Sequence, residues 1–359
     1  MKSFGERLKQ ARAAAGLSQR DLAEAAGPLS ANAISKYERD LMEPGSDVLR
    51  RLAAALRVKT GYFYRPVQVS VKCPAYRKHS RLGKRQQHSV EARIVEFLER
   101  YIEVEEMFEP GQVPTFELPD ACGMDISEVA DVEEFADRLR DQWELGADPI
   151  ANLCETLEDQ GVKVILLDDV DDQFDGYSCW ANEQIPVVAS RGDAALPGDR
   201  QRFTLAHELA HLLLERTKME GVDVERACHR FAAAFLVPRS AVFPEVGQRR
   251  DGLSYVELLS LKQKWGLSMS AWVRRMADLG IISQGQYRSA MKQFRSKGWH
   301  NREPGEQVEP ERTLRFERLV QRAVAEDLIS VARAADFLGK PLIEVRKEMG
   351  WPTAEVAEA

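Results

Sequence analysis

The apolar positions of the first 66 residues recur at helical spacing and are cut into short runs. Phe4, Leu8 and Ala11 mark one helix, and Gly16 ends it ahead of Ser18, which is placed to cap a second helix over Gln19 to Ala26. Gly27-Pro28 breaks that helix. Ser30 then caps a third, in which Ile34 and Tyr37 share one side while Asn32, Ser35, Lys36 and Arg39 point elsewhere. Pro44-Gly45 ends it, Asp47 to Val58 turns Val48, Leu49, Leu52, Ala55 and Leu56 inward as a fourth helix, and Tyr62-Phe63-Tyr64 closes the unit before Pro66.

Residues 67–93 read as a basic connector, and Ile94, Phe97, Leu98, Tyr101 and Ile102 give residues 90–107 the spacing of a linker helix. Pro110, Pro114 and Pro119 interrupt the chain before a helical run from Ser127 to Trp143. A helix end over Glu155 to Gln160, Gly161, and the apolar run Val162 to Leu167 form a helix-to-strand step. Tyr177 to Ala181 and Ile185 to Ser190 flank Asn182-Glu183-Gln184 as a hairpin, with Pro186 favouring an edge position for the second strand. From Arg202 the pattern is almost wholly helical, apart from residues 296–311, whose composition is that of a polar linker. There is no internal repeat. The pattern predicts a mainly α chain with a small β-sheet, in the α+β class.

At 359 residues the chain exceeds what one core usually serves, so two or three domains are expected. Hydrophobic residues at 44% and charged residues at 30% fit a globular protein with a sizeable core. No apolar run reaches the roughly 18 residues of a membrane span, and MKSFGERLKQ lacks a signal-peptide core, so no membrane partner and a cytoplasmic location are expected. Cys73, Cys122, Cys154, Cys179 and Cys228 are odd in number and never spaced C-x-x-C, which predicts reduced, mostly buried thiols. The net charge of −7 conceals an asymmetry. Residues 1–93 hold 19 Lys+Arg against 8 Asp+Glu, which leaves −18 for the remainder, so the front end is suited to a polyanion.

In RFTLAHELAHLLLE, His207 and His211 stand at i and i+4, roughly 6 Å apart on one helix face, where they can share a metal ion, with zinc the natural occupant. Glu208 projects about 100° further round the helix, placed to hold a water and take its proton as general base. A third ligand is sought in VERACHRFAAAFLVP. Glu225 lies fourteen residues past His211, and His229 follows one turn later on the same face. Glu225 is favoured as ligand, which leaves His229 as a supporting residue, as donor to the oxyanion formed at a peptide carbonyl, or as a core histidine with a satisfied hydrogen bond. Three of the six histidines fall between 207 and 229. The strand at Ile185 to Ser190 would let an extended peptide pair with the sheet if it is an edge, or be an edge blunted by proline and nothing more.

Ser30 to Arg39 is the candidate recognition helix, behind a helix that begins at Gln19. Asn32 and Ser35 can read base edges, while Lys36 and Arg39 suit phosphates. A small protein-interaction domain is the competing reading, and the charge of +11 weighs against it.

GLSQRDLAEAAG and ISKYERDLMEPG resemble the XRE, or phage-repressor-like, helix-turn-helix family. RFTLAHELAHLLLE and ERACHRFAAAFLVP resemble the ImmA/IrrE metallopeptidase family, and WELGADPIANLCETLEDQGVKV and the stretch from LKQKWGLSM to FRSKGW extend the likeness to about residue 305. The resemblance implies a zincin fold with His207, His211 and Glu225 on zinc and Glu208 as base. Two departures stand out. Many relatives have Glu-Ala-Asn where this chain has Ala227-Cys228-His229, so a ligand taken from that triplet would be missing, and the turn Gly27-Pro28-Leu29-Ser30 is one residue longer than usual. The implied division is a five-helix DNA-binding domain over 1–66, a basic connector and linker helix over 67–126, a zincin-like domain over 127–245, a helical subdomain over 246–305 and a helical segment of no assigned role over 306–359. The implied protein is a homodimeric regulator that binds double-stranded operator DNA at an inverted repeat and whose zinc endopeptidase domain cleaves a repressor, a partner or itself on a stress or ligand signal. Two alternatives share these motifs: a transcription factor whose zincin-like domain senses a ligand or partner without hydrolysis, and an antitoxin-like regulator.

Overall fold

The computed structural model describes residues 4–65, 69–72 and 82–350, so the expectations on Pro66, Cys73 and most of 67–81 lie outside the described residues. The chain divides into two units, the first holding described residues 4–65, 69–72, 82–113 and 316–350, the second 114–315.

The first unit opens with α1 (Phe4–Ala14), α2 (Gln19–Ala25), α3 (Ala31–Glu38) and α4 (Ser46–Leu56), followed by a 3-10 turn over Thr60–Tyr64 in place of a fifth α-helix. Local chemistry fixes the boundaries. Ser18 accepts from the Asp21 N–H while the Asp21 carboxylate accepts from the Ser18 N–H, and Ser30 accepts from the Ala33 N–H, so each helix start has a side-chain cap on its third N–H. Leu8, Leu22, Ile34, Leu52 and Phe63 are buried together as the core of this bundle. After the two-residue strand β1 (Val71–Lys72) comes α5 (Lys84–Glu105).

The linker helix thus begins at Lys84, earlier than its apolar spacing indicated, and it is part of the unit's packing. Tyr101, Val104 and Phe108 join Phe316, Val320, Ala323, Ala334, Phe337 and Val345 from α14 (Arg315–Ala325), α15 (Val331–Leu338) and α16 (Leu342–Glu348) in a second core. Arg100 donates to the Phe337 carbonyl at 2.9 Å, closing the end of α15. Much of the expected connector and the C-terminal segment therefore belong with the N-terminal unit. Their apolar faces are complementary, a fact that spacing within either segment alone does not reveal.

The second unit runs through β2 (Asp125–Ile126), α6 (Val132–Gln142), α7 (Leu153–Asp159), β3 (Lys163–Leu167), β4 (Gly176–Ala181), β5 (Ile185–Arg191), α8 (Gly198–Glu215), β6 (Lys218–Met219), α9 (Val224–Leu236), α10 (Arg239–Val246), α11 (Tyr255–Trp265), α12 (Met269–Asp278) and α13 (Gln284–Ser296). Of the main sheet it contributes β4, β5 and β3 in that order, β5 antiparallel to β4 and parallel to β3. The edge-strand expectation for Ile185 to Ser190 is therefore corrected: β5 is flanked on both sides. Pro186 is tolerated because pairing with β3 begins at Val187, one residue after the missing N–H.

Residues 296–311, read from composition as a linker, are tied into this unit. Glu303 is buried, accepts from Lys262 Nζ at 3.1 Å, and caps the start of α12 by accepting from the Met269 and Ser270 N–H groups. Glu311 pairs with buried Arg202. The Gly198 N–H donates to the Val308 carbonyl at 2.7 Å, and a Cβ at 198 would stand 2.1 Å from the Glu309 carbonyl oxygen, so only glycine lets this segment lie against the start of α8. The four described cysteines are buried and free.

Candidate metal centre and nucleic-acid interface

Helix α8 buries Leu205, Ala206, Leu209, Ala210, Leu212 and Leu213, which leaves His207, Glu208 and His211 on its less buried side. The next helix, α9, starts where Asp223 accepts from the Arg226 N–H at 3.1 Å, and this cap puts Glu225 in the first turn, facing α8. His207 Nε2 and His211 Nε2 are 3.1 Å apart, and the Glu225 carboxylate turns one oxygen to each, at 3.5 and 3.4 Å. Ligand atoms around a tetrahedral zinc with bonds of about 2.0–2.1 Å would stand about 3.3–3.4 Å from one another. Two imidazoles and a carboxylate at these separations have the spacing and the chemistry that zinc takes, and three protein ligands leave one position for water or substrate.

Glu208 stays outside this triangle. Ser178 Oγ, on β4, donates to Glu208 Oε2 at 2.6 Å, which fixes the carboxylate beside the histidines. Burial pushes the Glu208 carboxyl up to about 7, against the opposing pull of His207 and the Ser178 hydrogen bond. A Cβ at Gly176 would lie 2.6 Å from Glu208 Oε1, so the absent side chain there makes room for the carboxylate. His229 is exposed, its ring centroid 4.6 Å from that of His207 and 5.8 Å from Phe203, on which it stacks. Although the residue as a whole is exposed, its ring lies against Phe203, and this partial desolvation first, with the neighbouring His207 second, lowers its pKa and favours the neutral ring. Ala227 is buried in the core, so the altered triplet places no carboxylate at the cluster and Glu225 is the acid that reaches it. Cys228 puts its Sγ 3.5 Å from His211 Nδ1, on the far side of the ring from the cluster. Spacing did not single out Ser178, Gly176 or Cys228, although a glycine opening a strand is a signal of close approach.

Residues 8–63 match the Helix-turn-helix family and residues 157–277 match the IrrE N-terminal-like domain family. The chain joins a helix-turn-helix domain to an IrrE-like domain. It is similar to the HTH-type transcriptional regulator ImmR of Bacillus subtilis (strain 168), 40% identical over 70 residues that make up 20% of this chain and 54% of that regulator, so the match spans about half of the relative's length. The crystal structure of Bacillus thuringiensis PlcR in complex with the peptide PapR7 and DNA aligns over 100% of this chain and 91% of that one, at 12% identity and a TM-score of 0.18, a likeness that carries no argument. No helix among the described residues is long and apolar enough to cross a membrane.

In the helix-turn-helix domain, α3 buries Ile34 and Tyr37 and leaves Asn32, Lys36 and the capping residue Arg39 exposed, with Ser35 half-buried among them. Lys36 and Arg39 make no ion pair among the described residues. Ser30 is engaged as the helix cap. Gln19 is drawn inward: its Nε2 donates at 2.7 Å to Glu38, which also pairs with Arg12. The exposed set on α3 is brought onto one face, whereas Gln19 sits with the Arg12–Glu38 cluster behind it.

Proposed function

We propose that the chain is a DNA-binding transcriptional regulator whose IrrE-like domain is a zinc-dependent endopeptidase acting on a repressor, a partner protein or the chain itself. The observation that carries this reading is the convergence of His207, His211 and Glu225 with Glu208 held beside them by Ser178. Zinc held by those three residues would supply Lewis-acid activation of water and of the scissile carbonyl. Glu208 takes the proton of the attacking water and delivers it to the departing nitrogen, held in position for both transfers by the hydrogen bond from Ser178. His229, kept neutral, donates a hydrogen bond to the oxyanion. The helix-turn-helix domain, with the exposed residues of α3, takes double-stranded DNA, and a homodimer would set two such helices on an inverted repeat. A zincin-like part over 127–245 belongs to the same proposal, as does a cytoplasmic site of action.

Zinc content of the purified protein tests the metal centre. One zinc per chain is expected, with Glu225→Ala lowering occupancy more than His229→Ala. The reverse order moves the third ligand to His229, and full occupancy in both variants removes Glu225 from the site.

A further inference from the structure

Beside the metal centre the second unit encloses a cavity of about 820 Å³, walled by α8, α9, α12, α13 and the 299–307 segment. That volume is within the range of about 300–1,000 Å³ usual for small-molecule sites. Its charge runs against its surroundings. Residues 114–315 hold 24 Lys+Arg against 35 Asp+Glu, yet the lining presents six cationic side chains and three carboxylates. Two of the carboxylates, Asp199 and Glu303, are committed to Lys262, and the third, Asp278, is shared by Arg230 and Arg274. Arg226 and Arg302 have no ion pair among the described residues, and both are exposed. Arg200 and Arg274 each lean on a single carboxylate, at 2.7 and 2.9 Å, and remain exposed. Phe203, Tyr287 and Trp299 add half-buried aromatic faces.

We propose that this cavity binds an organic phosphate, a phosphate group carried on a body with an aromatic or apolar face. Uncommitted guanidiniums bind a phosphate through paired hydrogen bonds and balance its second charge, which a single carboxylate would not require. The aromatic faces take the body of the ligand. An extended peptide would pair with a strand edge, and no lining residue of this cavity belongs to a strand. Arg226 is next in sequence to Glu225, and His229 borders both the cavity and His207, so the ligand would lie against the helices that carry the metal centre. The inference requires neither zinc nor hydrolysis.

The test uses the full chain stripped of metal with a chelator, so that no ion can hold the probe. The fluorescent anion 8-anilinonaphthalene-1-sulfonate is titrated in and then displaced with inorganic pyrophosphate. One saturable site per chain is expected, displaced by pyrophosphate, and weakened about tenfold or more in the charge-reversed pair Arg226→Glu and Arg302→Glu. Arg302→Gln alone, on an exposed loop, should weaken it less, and Lys36→Ala should leave it unchanged. An unaltered site in the paired variant, or no saturable site, overturns the proposal. Displacement by hexaglutamate with none by pyrophosphate also overturns it and makes the cavity a peptide subsite. Loss of peptidase activity or of zinc has no bearing on this result, so the two readings fail separately.

Discussion

Glu158, on α7, provides a quantitative test of the second unit's packing. Its side chain is 3% exposed, and its Oε1 has no hydrogen-bond partner among the described residues. Burial pushes the carboxyl from an ordinary 4.5 up to about 7, although Arg315 and Lys163 pull it down. Between those two values the folded chain keeps a proton that the unfolded chain has lost, so stability falls as pH rises through the window and then levels off. The full span of the loss is about 3 kcal/mol. Glu158→Gln keeps the shape and has no proton to lose. The variant should exceed the parent by less than about 1 kcal/mol at pH 5 and by about 2–3 kcal/mol at pH 8. Urea unfolding followed by tryptophan fluorescence at both pH values measures this, and subtracting the two chains cancels every other titrating group. A difference that does not change with pH, or a variant less stable at pH 8, would show that Arg315 and Lys163 stabilise the ionised carboxylate by more than its burial costs.

In the helix-turn-helix domain, Lys36→Ala should weaken DNA binding across sequences and reduce the salt slope by about one, whereas Asn32→Ala should change sequence preference; filter-binding or anisotropy titrations at several salt concentrations separate the two. In the IrrE-like domain, Gly176→Ala should retain zinc but lower cleavage between about tenfold and a hundredfold, because the new Cβ would stand 2.6 Å from Glu208 Oε1 and displace the carboxylate. Unchanged turnover would mean that Glu208 does not need its present position.

What the sequence made legible follows from range. The i, i+4 spacing of His207 and His211 is a property of one helix, and the caps at Ser18 and Ser30 involve neighbours three residues apart, so all were readable in place. Glu225 was reachable because α9 follows α8 with only the two-residue β6 between them and its face could be counted from the apolar residues. Ser178 was not, since its bond to Glu208 joins residues 30 apart across a strand and a helix. The position of β5 failed for the same reason: proline reports on one residue's N–H, and only the parallel register with β3 shows that the strand is flanked. The acids of 303–311 looked solvated because the sequence does not show that Lys262 and Arg202 lie buried opposite them. The face that α5 offers to α14 and α15 was hidden likewise, some 200 residues separating the partners.

The central claim is that the cluster on α8 and α9 hydrolyses a peptide bond, and Glu208→Gln tests it most directly. The amide is nearly isosteric, so it removes the base while leaving His207, His211 and Glu225 in place. The measurement is induction of the target promoter in cells, taken with zinc content and operator binding of the purified variant. The account predicts full zinc and normal DNA binding with cleavage of the target protein and induction both lost. Normal induction with zinc retained would contradict it and leave the IrrE-like domain a sensor that switches without hydrolysis.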